Sequence, residues 1–293
     1  MTKKTLVFVH GRSQRGRDPE EVKAEWLSTL ALGLGKEKAK RLQDVDVRLP
    51  FYGDILEEFA AEMDNGLPPD ILMRGEEPTQ DQKYAEFERD IALRLKEQLG
   101  LTDEQVDAEL KEIARKRSPL NWEWVQAIMR AADKIPGISA TSIERQTRDV
   151  YMYLTRSKVR QTINDVVAKQ IPSSSTVVVG HSLGSVVAYD VLRMAKSPKN
   201  IPLYVTVGSP LGVGPISRVL LPHVFPPNVA RWYNASDDRD VVALNPLTKA
   251  YFDITPEIEN YHGVKNGTDN AHGIVGYLND SKVAAKIFDG LFD

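Results

Sequence analysis

Cysteine is absent from this chain of 293 residues. That removes disulfides, thiolate nucleophiles and cysteine-ligated metals together. Long apolar runs are absent too. The first one, Leu6-Val-Phe-Val9, ends at His10-Gly11 and is too short for a signal-peptide core or a membrane span, so it reads as a buried strand. Neither sign of charge is in excess: 38 Lys and Arg face 41 Asp and Glu, for a net charge of −3. No basic face for nucleic acid follows from such totals. Internal repeats and low-complexity tracts are also lacking. What these absences leave is an ordinary globular chain, expected in the cytoplasm, with 42% hydrophobic residues. That is enough for one large α/β domain or two smaller ones.

Against this background one stretch stands out, Thr176-Val-Val-Val-Gly180-His181-Ser182-Leu183-Gly184-Ser185-Val186-Val187-Ala188. A β-branched run meets Gly-x-Ser-x-Gly, and a small-residue apolar segment follows. The spacing predicts a strand, a turn too tight for ordinary side chains, and a helix. Gly180 and Gly184 let strand and helix approach closely, which forces Ser182 into a strained conformation that displays its hydroxyl. The unpaired N–H groups of the helix start favour negative charge beside that hydroxyl. A serine nucleophile whose substrate passes through an oxyanion suits such a turn. The bare pattern arises by chance in roughly one chain in ten of this length, so the other groups must decide.

Taken in order, the strands predicted are Thr5–Val9, Asp44–Leu49, the run into Gly180, Pro202–Val207, Val229–Asn234 and a weaker Ala250–Ile254. Helices fall between them. Asp18-Pro19-Glu20-Glu21 opens the first by an aspartate cap, Pro at the first position and an acid two residues on. From residue 54 to about 141 no strand is visible. Helical spacing recurs over 81–99, from the Thr102–Gln105 capping box, and from an Asn121 cap. Leu67–Asp70 and Gly75–Pro78 read as loops. Thr141–Glu144 reads as another capping box, opening one long helix to Ile171, and Ser281–Phe292 as a closing helix. Alternating strands and helices imply an α/β fold with a mainly parallel sheet of about six strands, helices on both faces and a helical insertion. The expected domains are a core of 1–53 with 142–293 and a cap or lid of 54–141. Ligands of such sheets bind beyond the carboxyl ends of the strands, where the polar residues of interest lie.

A serine needs a general base, and the base an orienting acid. Of five histidines, His10 closes the first strand and shapes its loop, His181 adjoins Ser182 and should point away, and His223 sits in a proline-rich loop. His272, at a loop-to-helix junction after the last strand, is the favoured base, with His262 behind it. For the acid, Asp237-Asp238-Arg239-Asp240 follows a strand. Asp240 is favoured because burial of Val241-Val242 would hold it inward, and Asp237 comes next. Should Ser182 fail, Ser209 is the next nucleophile to consider.

Together these residues resemble the α/β-hydrolase superfamily, and Gly180-His-Ser-Leu-Gly184 is similar to the form seen in lipases and esterases. The family order of nucleophile, acid and base is matched by Ser182, Asp240 and His272. The resemblance implies an oxyanion hole from the Leu183 N–H and a second donor from Gly11 or Arg12. It covers the first fifty residues and about 172–293. The His-Gly strand begins at residue 5, so the two strands that precede it in the family are expected to be missing.

The activity implied is hydrolysis of a small-molecule or lipid carboxylic ester through an acyl-enzyme, with no cofactor and no metal. A thioesterase or acyltransferase with the same triad is the alternative, and a non-catalytic binding module on the same fold is a further one. Trp122, Trp124, Ile128 and Met129 cover a broad arc of one helix, read as core or as a lid, an acyl-chain groove or an oligomerisation surface. A lid would allow peripheral membrane contact. Arg12, Arg15 and Arg17 near the oxyanion loop would suit an anionic substrate, or are simply solvated.

Overall fold

In the computed structural model, residues 4–12, 14–66, 80–113 and 122–293 are described. The expected Asn121 cap and the Leu67–Asp70 and Gly75–Pro78 loops lie outside them. A single sheet of six parallel strands runs β2-β1-β3-β4-β5-β6. Its strands are β1 (Thr5–Val9), β2 (Asp46–Arg48), β3 (Ser175–His181), β4 (Asn200–Val207), β5 (Trp232–Ala235) and β6 (Glu259–Tyr261). The α/β-hydrolase architecture expected from the sequence is thus the one observed.

β3 is covered on both faces, which explains its unbroken apolar run. Val177 and Val179 enter one core with Trp26 and Ile287; Val178 enters the other with Val186 and Ile163. The first core is closed by α1 (Pro19–Leu34), α11 (Ile274–Leu278) and α12 (Ser281–Phe292). The second is closed by α7 (Ala140–Thr155), α8 (Ser157–Gln170) and α9 (Leu183–Arg193). Two short helices, α2 (Lys36–Lys40) and α10 (Gly214–Val219), complete the α/β frame. Between β2 and α7 run α3 (Gly53–Gly66), α4 (Gln80–Leu99), α5 (Asp103–Ile113) and α6 (Trp122–Asp133). Leu56, Ile91, Leu95, Val106 and Ile128 of these helices join the same core as Val178 and Val186. Ile128 and Met129 are buried in it, and Trp124 packs on it.

The caps follow local chemistry. Asp18 accepts from the N–H groups of Glu20 and Glu21, and Thr102 and Gln105 bond reciprocally, as a capping box should. Three expectations need correction. The stretch from Thr141 to Ile171 is two helices, because Arg156 adopts φ −97°, ψ 101° between α7 and α8. The cap of α7 is Ser139, whose side chain accepts from Ser142 N–H, so Thr141 already lies inside the helix. Ala250–Ile254 is a turn, closed by Tyr251 and Phe252 N–H groups on the Thr248 carbonyl. Its apolar content serves to bury Phe252 against Tyr189 and Trp232. The sixth strand is instead the polar Glu259-Asn-Tyr261, held to β5 partly through Asn234 Nδ2 donating to Asn260 Oδ1 at 3.0 Å.

Candidate active site

The chain leaves β3 through Ser182, which has φ 55° and ψ −131°. This is a conformation a non-glycine residue holds only under constraint. Gly180 and Gly184 supply the constraint. A Cβ on Gly180 would lie 2.7 Å from Ser185 Cα, and one on Gly184 would collide with the carbonyls of Val9 and His10. The Ser182 N–H donates to the Val207 carbonyl at 3.1 Å, and the Ser185 hydroxyl donates to the Ser182 carbonyl at 2.6 Å. The strained residue is therefore held from β4 and from the first turn of α9. Ser209, the next nucleophile considered, is buried and caps a turn, accepting from the Leu211 N–H.

Asp240 and His272 meet at the same end of the sheet. His272 Nδ1 lies 2.8 Å from Asp240 Oδ2 and 3.0 Å from Oδ1. The carboxylate also accepts from the Tyr277 hydroxyl at 2.6 Å and from the Val242 N–H at 2.9 Å. Because the carboxylate accepts, Nδ1 carries the proton and the Nε2 lone pair is left free to take one. The expected reason for Asp240 facing inward was burial of Val241-Val242. Both valines are only half-buried, and it is Tyr277 with the backbone N–H groups that fixes the carboxylate. Asp237 is turned elsewhere: it holds the Arg239 guanidinium and the N–H groups of Arg239 and Asn266. Burial opposes its charge, but these donors outweigh burial and keep it below the ordinary carboxylate range.

The other histidines serve the scaffold. Burial drives the His181 imidazole down to about 3. Neutral, it donates from Nε2 to the His272 carbonyl at 2.7 Å, so it points to the backbone of the loop that carries His272. Burial likewise takes His10 down to about 4. Its Nδ1 donates to the Gly11 carbonyl at 2.6 Å, Nε2 accepts from the Tyr52 N–H at 3.1 Å, and the ring stacks on Tyr52. His262 is hydrogen-bonded to Ser236 Oγ at 2.9 Å, and His223 lies on Phe252.

The loop fixed by His10 brings Gly11 directly against the serine. A Cβ on Gly11 would be 2.9 Å from Ser182 Cβ and 3.4 Å from Oγ. Arg12 sends its side chain to Asp149 of α7, Nε to Oδ2 at 2.7 Å. Leu183, the first residue of α9, opens the helix turn beside Ser182. Arg17 pairs with Glu25, so two of the three arginines considered for an anionic substrate are engaged within the protein.

One residue of the site escaped sequence reasoning. Gln146, buried on α7, donates from Nε2 to Ser182 Oγ at 2.5 Å and lies 3.4 Å from His272 Nε2. Among the described residues, serine and imidazole are thus each bonded to this amide and not to one another. Behind Gln146 a cavity of about 30 Å³ is lined by Ile91, Ile143, Val213, Ile216, Val241 and Leu244. Only its burial in α7 beside Ile143, Thr147 and Val150 distinguishes Gln146, and sequence spacing carries no trace of that.

A parallel sheet whose central strand ends in a strained serine, with an Asp–His pair from later loops at the same end, has the α/β-hydrolase fold. More particularly, the model of the lipase (class 3) family matches residues 111–248. That stretch contains Gln146, Ser182 and Asp240 and ends before His272. No curated protein and no solved structure matches the chain. The match supports a lipase-like ester hydrolase in general terms, and no helix among the described residues is long and apolar enough to cross a membrane.

Proposed function

We propose that the protein is a serine carboxylesterase of lipase type, with Ser182 as nucleophile, His272 as general base and Asp240 as the acid that orients it. The observation that carries this reading is the Asp240–His272 pair, with Nδ1 on the carboxylate and Nε2 3.4 Å from the Gln146 amide that also bonds Ser182 Oγ. In the reaction the Gln146 amide withdraws and His272 Nε2 takes the Ser182 proton as Oγ attacks the ester carbonyl. Asp240 stabilises the imidazolium. The Leu183 N–H, with that of Gly11 or Arg12, holds the oxyanion, each such donor being worth about 10²–10³ in kcat. The imidazolium then protonates the leaving alcohol, and water attacks the acyl-enzyme by the same path in reverse.

Residues 54–141 form the cap in this reading. Gln146 of α7 bonds the serine, Ile91 of α4 lines the small cavity beside that amide, and this cavity is the start of an acyl pocket. The substrate is a small or lipid ester, the enzyme works in the cytoplasm, and neither metal nor cofactor enters the chemistry. A fluorophosphonate probe tests the assignment. Intact mass should show one adduct on the wild type and none on Ser182→Ala. Equal labelling of both moves the nucleophile elsewhere. A thioester turned over far faster than its matched oxygen ester would make the protein a thioesterase instead.

A further inference from the structure

At the opposite end of α9 lies a cavity of about 1150 Å³, slightly larger than the roughly 300–1,000 Å³ of sites that hold small-molecule ligands. It opens beside Ile171, just before β3, and Lys199, just before β4. It therefore sits at the amino ends of the strands, an α9 length of about 16 Å from Ser182. Its floor is apolar, from Leu154, Ala168, Ile171, Val191 and Leu192. Met194 and Leu221 stand at its mouth, 61% and 60% exposed.

The polar lining is one-sided. Arg160, Arg193, Lys196 and Lys199 face the cavity against a single carboxylate of the lining, Asp165. Beneath them Asp190, fully buried, takes both oxygens to the Arg160 guanidinium and one to Arg193 at 3.1 Å. It also accepts from Asn164 Nδ2 at 2.7 Å and Tyr153 O–H at 3.2 Å. One carboxylate thus answers two guanidiniums that are themselves largely withdrawn from water, with side chains 25% and 14% exposed. A cation with reduced hydration and no full counter-charge gains from an anion brought alongside it. An apolar floor under a cationic rim selects for a ligand that is both.

The geometry points to a second binding site here, for an amphipathic monoanion: a medium- to long-chain alkyl carboxylate with its head at Arg193 and Lys196 and its chain along Leu154, Ile171 and Val191. Such a molecule is also the acyl product that the proposed ester hydrolysis releases. That link, though not the site itself, rests on the esterase reading. α7 ends in the wall of this cavity at Leu154 and Thr155, eight residues beyond Gln146.

The test is calorimetric titration of the full-length protein with monomeric decanoate, with decyltrimethylammonium and inorganic phosphate as controls. It is repeated on the double variant Met194→Glu, Lys196→Glu, whose substitutions lie on the exposed rim. Decanoate should bind the wild type, the two controls should not, and the double variant should bind at least tenfold more weakly. Its turnover of a p-nitrophenyl acetate substrate should stay at the wild-type level. Unchanged decanoate affinity in the double variant puts the ligand elsewhere and overturns the proposal, as does equal binding of phosphate or of the cationic amphiphile. Sedimentation with anionic vesicles but no binding of free decanoate makes the rim a membrane contact, which also overturns it. Failure of the esterase reading shows separately, as hydrolysis that survives Ser182→Ala, and leaves these binding results standing.

Discussion

Two buried carboxylates serve the two ends of α9. Near its C-terminus Asp190 is surrounded by Arg160, Arg193, Asn164 and Tyr153. Burial opposes its charge, and the arginines and Asn164 outweigh burial, keeping it below the ordinary carboxylate range. Beyond the N-terminus Asp240 meets a phenol, two backbone N–H groups and the His272 ring. Both acids are 2% exposed or less. The difference is that the charge of Asp190 is already matched by fixed cations, whereas Asp240 faces hydrogen-bond dipoles and the His272 ring. A saturated carboxylate holds helices together; one held by dipoles keeps its charge available, as the role proposed for Asp240 requires.

The sharpest way to break this comparison is to neutralise each acid in turn. Asp240→Asn should lower kcat by about 10⁴, since an orienting acid of a triad is worth that much, while the melting temperature stays within a few degrees. Asp237→Asn, three residues away, should leave most of the activity, because its carboxylate is tied to Arg239 and Asn266. If Asp237→Asn is inactive and Asp240→Asn is not, the acid has been misassigned. Asp190→Asn should do the reverse of Asp240→Asn. It strands two partly buried guanidiniums, at a cost of about 3–5 kcal/mol, read as a lower midpoint in urea with kcat of the remaining folded protein little changed. A loss of kcat without a loss of stability would mean that the two ends of α9 are not separable.

A smaller effect concerns pH. His181 and His10 sit at about 3 and 4 when folded, against an ordinary value of 6.5. The unfolded chain therefore binds more protons than the folded one between pH 6.5 and those values. The stability contributed by the neutral rings is complete above pH 6.5 and falls with pH below it, by about 2 kcal/mol per histidine at pH 5. His181→Gln keeps a donor for the His272 carbonyl but does not titrate. Melting curves at pH 7 and pH 5 should show a smaller drop for this variant than for the wild type. Parallel drops would mean that His181 is not held neutral. The smallest effect belongs to Gln146. Gln146→Ala removes the amide between serine and base and should raise kcat on a short soluble ester by about two- to tenfold. A fall in kcat instead would make the amide part of the working site.

How far the site was legible follows from how local each signal is. Ser182, Gly180 and Gly184 lie within five residues, and their turn can be read directly because strand, strain and helix start share one short window. Asp240 and His272 were reachable through chain order and position after strands, though the reason given for Asp240 differs from the hydrogen bonds that hold it. Gln146 was not reachable. It comes from a helix 36 residues upstream whose pattern looks merely amphipathic, and only folding places one polar position of that helix over the serine. The sheet edge misled for a related reason. Ala250–Ile254 has strand-like composition because Phe252 must be buried, whereas Glu259–Tyr261 pairs through its backbone and needs no apolar signature. The split at Arg156 was hidden because one backbone rotation breaks a helix without interrupting its apolar spacing.

The registration of β1 bears on how the molecule comes into being. Thr5 pairs with Asp46 on one side and with Thr176 on the other. The second partner is 171 residues away along the chain. At roughly 5–20 residues per second of synthesis, β1 waits about 10–30 s for the strand that leads into Ser182. During that interval an apolar strand has one edge paired at best and the other open, the arrangement most prone to pairing with the wrong chain. Non-local parallel pairing of this kind also makes for slow refolding. The helices encoded between Gly53 and Gln170 are made in that interval, so they precede the serine strand in time as they do in sequence.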